Sequence, residues 1–152
     1  MVSVSVLVAV AGDDEHRAET FLDAIEPLTG ANDRAVHLVH VYSEDDVETI
    51  ESMYDIDSRD SRALGAAAEH NTAVSTLGEA LDERGVERDT HGAVGDAGSE
   101  IVALADRLGV EYVVVGGRRR SPTGKAIFGS TAQDVLLSAN VPVIYTGPGI
   151  DG

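Results

Sequence analysis

The chain has no cysteine and no tryptophan, only two phenylalanines and four tyrosines, and a single lysine, Lys125, among 152 residues. Without cysteine there are no disulfides, no thiolate metal sites and no cysteine nucleophile, so any metal would have to be held by histidine and carboxylate. Basic residues are scarce, 11 Lys and Arg against 27 Asp and Glu, for a net charge of −16. Phosphate backbones would be repelled by nearly every face of such a molecule, so nucleic acid is not an expected partner. Ten arginines to one lysine, with Asp in excess of Glu, suggest a cytoplasm at very high salt. There the Debye length contracts to a few ångströms and self-repulsion is screened. Long hydrophobic runs are also missing. The opening MVSVSVLVAVAG has no positive leader and is too short to span a bilayer. The expectation is a soluble cytoplasmic protein with no membrane association.

The length fits one domain, 1–152, large enough to bury roughly 68–70% of its unfolded surface without staples. Along it, strand-like and helix-like patterns alternate. Residues 2–10 place Val2, Val4, Val6, Val8 and Val10 on one face of a strand. Asp13 or Asp14 can cap a helix with the stripe Ala18, Phe21, Leu22, Ile25 and Leu28, stopped near Gly30. A β-rich run covers 35–42, and a long acidic segment extends from Ser43 to about Asp60. One helix is expected to carry Leu64, Ala67, Ala68, Val74, Leu77 and Leu81 as far as Gly85. A strand near 86–94 follows, then a helix with Ile101, Leu104, Ala105 and Leu108 closed by Gly109. Tyr112–Val115 reads as a central parallel strand. Ser130 and Gln133 have capping-box spacing at the start of a last helix, and Val141–Tyr145 is a last strand, with Pro142 suited to an edge or a strand start. The order βαβαβαβαβ implies a doubly wound, five-stranded parallel sheet with helices on both faces.

The charge is concentrated in one place. Arg118, Arg119, Arg120 and Lys125 fall within eight positions, and no acid occurs between Tyr112 and Gln133. The segment GGRRRSPTGKAIFGST, 116–131, thus carries +4 while the rest of the chain carries 7 − 27 = −20. It leaves the carboxyl end of the fourth strand, where ligands of such sheets sit, and leads into a helix start. A glycine-flanked basic loop of about a dozen irregular residues before a helix N-terminus is a place for an anion, above all a phosphate. It is not a P-loop, which would need glycine at Arg119 and Ser or Thr at Ala126.

At these residues the chain resembles the universal stress protein family, doubly wound domains of the adenine-nucleotide α-hydrolase-like kind. The family's nucleotide-binding members carry glycine, two residues, glycine, nine residues, then Gly-Ser or Gly-Thr. Gly116 matches the first glycine and Gly129-Ser130 the final pair, while Arg119 stands where the second glycine should be. The likeness extends over LVAV at 7–10, VHLVHV at 36–41, 95–117 and VPVIY at 141–145, the last similar to the strand through which members pair as homodimers. It implies an ATP or other adenine-nucleotide site bordered by Ala11, Val41, Val115, Gly116, Arg118, Arg119, Gly129, Ser130 and Thr131. Mg²⁺ would enter only with the nucleotide. The family's adenosine-binding aspartate at the end of the first strand is Ala11 here. Losing that charge-assisted contact costs about 1.5–3 kcal/mol, or about 10–100-fold in affinity. Arg119 blocks close approach of backbone amides but is itself a bidentate phosphate donor.

Three readings stand. The first is a nucleotide- or anion-responsive binding module in stress response. The second is a family member that binds no nucleotide and acts through an acidic protein partner docked on the basic loop. The third is a slow ATPase, for which Asp13 and Asp14 are the carboxylates nearest the first strand's end. The bland account of the arginines is neutralisation of acidic stretches such as Asp55–Asp60, worth about 0–1 kcal/mol per surface pair. The five histidines are not expected to form a site: His37 and His40 face opposite sides of a strand, and His16, His70 and His91 lack a partner at ligand spacing. The acidic Glu44-Asp45-Asp46 reads as a solvated helix start.

Overall fold

The computed structural model describes residues 4–11, 18–29, 34–116, 119–120, 126–127 and 129–146. Strand β1 (Val4–Ala9) is followed by helix α1 (Ala18–Thr29) and strand β2 (Arg34–Tyr42). A 3-10 turn (Glu44–Asp46) and three helices follow: α2 (Val47–Tyr54), α3 (Ser61–Ala68) and α4 (Thr72–Glu83). The remainder is β3 (Arg88–Val94), α5 (Ala97–Leu108), β4 (Tyr112–Gly116), β5 (Arg119–Arg120), β6 (Ala126–Ile127), α6 (Ser130–Ser138) and β7 (Val143–Thr146).

Five strands form one sheet in the order β3-β2-β1-β4-β7, every pair parallel. The β-branched and apolar content of β1 and β4 fits strands buried on both faces. Alternation of side chains then sorts the core in two. On one side Val6, Val8, Val10, Val36, Leu38 and Val114 pack with Phe21, Leu22 and Ile25 of α1 and Val74, Leu77 and Leu81 of α4. On the other, Leu7, Val39, Val113 and Val115 pack with Ile101, Leu104 and Ala105 of α5 and Ala132 and Val135 of α6. Each buried Val, Leu, Ile or Phe side chain contributes about 1.5–3 kcal/mol by leaving water. The expected doubly wound sheet with helices on both faces is present.

Three local expectations need correction. The single helix expected over 64–81 is two helices, because the Asn71 side chain accepts from Ala73 N and Val74 N and starts α4 afresh. Hydrophobic spacing continued across the break and masked it. The acidic segment holds the 3-10 turn and α2, where no residue is buried, in line with the solvated helix start expected at Glu44-Asp45-Asp46. The basic loop contains a short antiparallel ribbon, with Arg119 paired to Ile127 and Arg120 to Ala126. The capping box is not formed either: the N-cap of α6 is Gly129, Ser130 is already helical, and the cap has no side-chain hydrogen bond. Other punctuation follows the sequence. Asp96 accepts from Ser99 N to start α5, Gly109 in the left-handed region (φ 68°) ends it, and Glu44, Asp45 and Asp46 are exposed. Pro142 lies just before β7 on the sheet edge, where its carbonyl accepts from Val113 N.

Candidate functional site

The winding direction reverses between β1 and β4. From β1 the chain builds outward through β2 and β3, then crosses back to add β4 and β7 on the other side. In such sheets the carboxyl ends of the two strands at the reversal diverge and leave a crevice. Residues at that end are set by register. Ala9 pairs with Val39 and Val8 with Val114. Continued by two residues, the same registers put Ala11 level with Val41 and Val10 level with Gly116.

Seven of the predicted positions lie toward this end of the sheet or beside it. Ala11 follows Val10 at the end of β1 and is half-buried. Val41 is half-buried in β2, packed against the core under α5 and α6. Val115 is fully buried, and its carbonyl accepts a 3.3 Å bond from the Thr146 hydroxyl. Gly116 ends β4 opposite Thr146. Gly129 caps α6 at the same end, since that helix returns the chain to the start of the parallel strand β7. Ser130 and Thr131 occupy its first turn. Arg118, Asp13, Asp14, His16 and Lys125 lie outside the described residues, and of Arg119 only the backbone, in β5, is described.

The first-turn amides of any helix lack intrahelical partners. Gly129 is exposed, offers no side-chain cap, and has open space where a β-carbon would stand. Among the described residues no side chain caps these amides, and an anion at such a helix start is favoured by the helix dipole by about 0.3–2 kcal/mol. Among the described residues no carboxylate stands at the end of β1, where Ala11 follows Val10.

One contributor escaped the sequence. His40 Nδ1 donates to Val10 O over 2.9 Å, tying the end of β1 to β2 immediately before Ala11. Its ring meets Tyr42 edge-on, with centroids 4.7 Å apart. Burial, and behind it the neighbouring Tyr54, pushes the Tyr42 phenol up to about 12, so it stays neutral near pH 7. No spacing rule announces a side-chain bond from one strand to the backbone of the next.

The histidines also differ from expectation. His37 and His40 do face opposite sides, but His91 has a partner: its Nε2 lies 3.0 Å from His37 Nδ1 across β2 and β3. Parallel pairing brought together residues 54 apart in sequence. The acidic stretch at 55–60 is met locally, Arg59 pairing with Asp57 at 2.9 Å and Asp60 capping α3. Among the described residues no helix is long and apolar enough to cross a membrane.

The family model described as "Universal stress protein family" matches residues 5–146. A universal stress protein of Mycolicibacterium smegmatis is 38% identical over 69 residues, which are 45% of this chain and 53% of that protein. The match thus spans about half the length of that relative. A universal stress protein from Archaeoglobus fulgidus, solved in complex with dAMP, is 26% identical with a TM-score of 0.55, over 96% of this chain and 99% of that one. A family protein of Arabidopsis thaliana with AMP bound is 18% identical with a TM-score of 0.64, over 97% and 94% of the two chains. At that identity the second structure speaks for the fold alone.

Proposed function

The chain belongs to the universal stress protein family, and we propose that it is a single-domain, nucleotide- or anion-responsive binding module of the cytoplasm. The observation that carries this reading is the uncapped N-terminus of α6 at the crevice between β1 and β4, directly after the basic segment. The dAMP held by the Archaeoglobus relative supports an adenine nucleotide as the ligand class. In this reading the phosphates lie against Gly129, Ser130 and Thr131, with Val115, Gly116 and Arg119 bordering them on the other side and Arg118 and Arg120 as candidate side-chain clamps. Val41 and Ala11 border the adenosine. Mg²⁺ enters only with the nucleotide, and the adenosine end is held loosely because the Ala11 side chain carries no carboxylate. The module works by binding, as a homodimer through the outer edge of β7, beside which α6 exposes Leu136 and Leu137.

The test is calorimetric titration of ATP, AMP and inorganic phosphate at high KCl, with and without Mg²⁺. ATP bound much more tightly than phosphate supports the nucleotide module. Equal, weak binding of all three reduces the site to an anion cradle. Absence of heat, with an unshifted melting temperature, overturns the reading in favour of a basic segment that docks an acidic protein.

A further inference from the structure

His37 in β2 and His91 in the edge strand β3 lie on the sheet face covered by α5, and the nucleotide reading makes no use of them. Their geometry is set by the sheet. His37 stands opposite Asp89 in the β2–β3 register, and His91 stands two residues further along the edge strand, on the same face. The two imidazoles converge, with His37 Nδ1 3.0 Å from His91 Nε2, while Asp89 Oδ2 is 4.0 Å from the same His37 nitrogen. Between two neutral imidazoles at that distance one proton is shared, donated by one ring and accepted by the other.

We propose that His37, His91 and Asp89 form a solvent-accessible binding site for a borderline divalent transition-metal ion of the Zn²⁺ type. Two imidazole nitrogens on one tetrahedral zinc lie about 3.3–3.4 Å apart, given metal–nitrogen bonds of about 2.0–2.1 Å. Opening the observed pair to that separation takes about 0.4 Å, within side-chain adjustment. The proton now between the rings moves to the one outer nitrogen that lacks one, so that His37 is protonated at Nε2 and His91 at Nδ1 and both inner lone pairs can face the metal without net proton loss. Burial lowers the affinity of both rings for a proton, which keeps them in the ligating neutral form near pH 7. Asp89 is exposed, its side chain 76% accessible, and is free to swing in as third ligand, leaving a fourth position to water. Among the described residues no three such groups already converge on one point. The site is therefore a converged pair with a mobile third arm, unlike a closed structural zinc centre.

A cavity of about 430 Å³ opens beside the pair, lined by His37 and Asp89 together with Glu69, Asp82, Glu87 and Arg88. Arg88 is held by Glu69 at 2.9 Å and by Asp82 at 3.2 Å. Four carboxylates to one guanidinium leave the wall net negative, which favours a cation near His37. The opposing charge is Arg107 on α5, close enough to disfavour a proton on His91.

Zn²⁺ titrated into the full chain at pH 7.5, followed by calorimetry and by the visible absorption of Co²⁺ as a substitute, tests the site. One ion per chain is expected, with affinity falling about tenfold or more in His37→Gln and in His91→Gln. A smaller loss is expected in Asp89→Asn and a gain in Arg107→Ala. Mg²⁺, which prefers oxygen ligands, should not compete. His91→Gln keeps a hydrogen-bonding side chain on the half-exposed edge strand, so its loss of metal cannot be assigned to unfolding if its melting temperature holds. No uptake of Zn²⁺, uptake unchanged in both histidine variants, or equal competition by Mg²⁺ would each overturn the proposal and leave a hydrogen-bonded histidine pair.

Discussion

Gly92 of the edge strand lies directly beneath the backbone of Leu64 in α3. A β-carbon at Gly92 would stand 2.5 Å from the Leu64 carbonyl oxygen and 2.6 Å from its carbonyl carbon. The contact is reciprocal, because a β-carbon at Gly65 would stand 2.8 Å from Thr90 O. Two glycines thus let helix and strand meet backbone to backbone, and α3 covers one face of β3. Gly92→Ala must push rigid backbone aside and is expected to lower stability by about 1–3 kcal/mol. Denaturant unfolding checks this, and a midpoint equal to that of the unmodified chain would contradict the packing.

Asn71 separates α3 from α4, accepting at 3.0 Å from Ala73 N and at 3.2 Å from Val74 N. Asn71→Ala is expected to cost about 0.5–2 kcal/mol with an unchanged denaturant slope, while Asn71→Asp retains most of the stability. Equal loss in both variants would mean that the cap is not what starts α4.

Burial holds both His37 and His91 below the usual histidine range, with the Asp89 carboxylate opposing it only in part. The unfolded chain therefore takes up protons first as the pH falls. The stability linked to the pair is complete above about pH 6.5 and is lost as the pH drops through the lowered folded values. Melting temperature against pH, without metal, should fall in this acid range and flatten in His91→Gln relative to the unmodified chain. An identical profile for the two proteins would show that other groups govern acid sensitivity.

Ala11 lies two residues beyond the end of β1, and in the proposed function it borders the adenosine. Ala11→Asp is expected to tighten AMP by about 10–100-fold relative to inorganic phosphate, restoring a charge-assisted acceptor. A parallel change in both ligands, or in neither, would show that adenosine does not lie beside Ala11.

Leu137 of α6 is 78% exposed on the helix that leads into edge strand β7. If two copies join along β7, Leu137→Glu is expected to raise the dimer dissociation constant, measured by sedimentation at high salt. A dimer of unaltered strength would place the contact elsewhere.

The strands and the two faces of the sheet were legible because a fully buried β1 or β4 requires a continuous apolar run, and a covering helix a stripe at its own period. Gly109 and Asp96 marked helix ends by local chemistry alone, as a left-handed cap and a side-chain acceptor. The candidate site was legible as far as chain order carries it: Gly116, the basic segment and Gly129 are close in sequence. Register was not. It set Ala11 level with Val41, laid His40 against Val10 O, paired His37 with His91 and put Gly92 under Leu64. These are contacts across neighbouring strands or between a helix and the strand it covers, fixed by which backbone carbonyl each amide finds. The composition by itself determined an acidic, cysteine-free α/β chain with one basic segment. Only the tertiary structure decided that its histidines meet, because a parallel crossover joins residues whose separation in sequence holds no periodic signal.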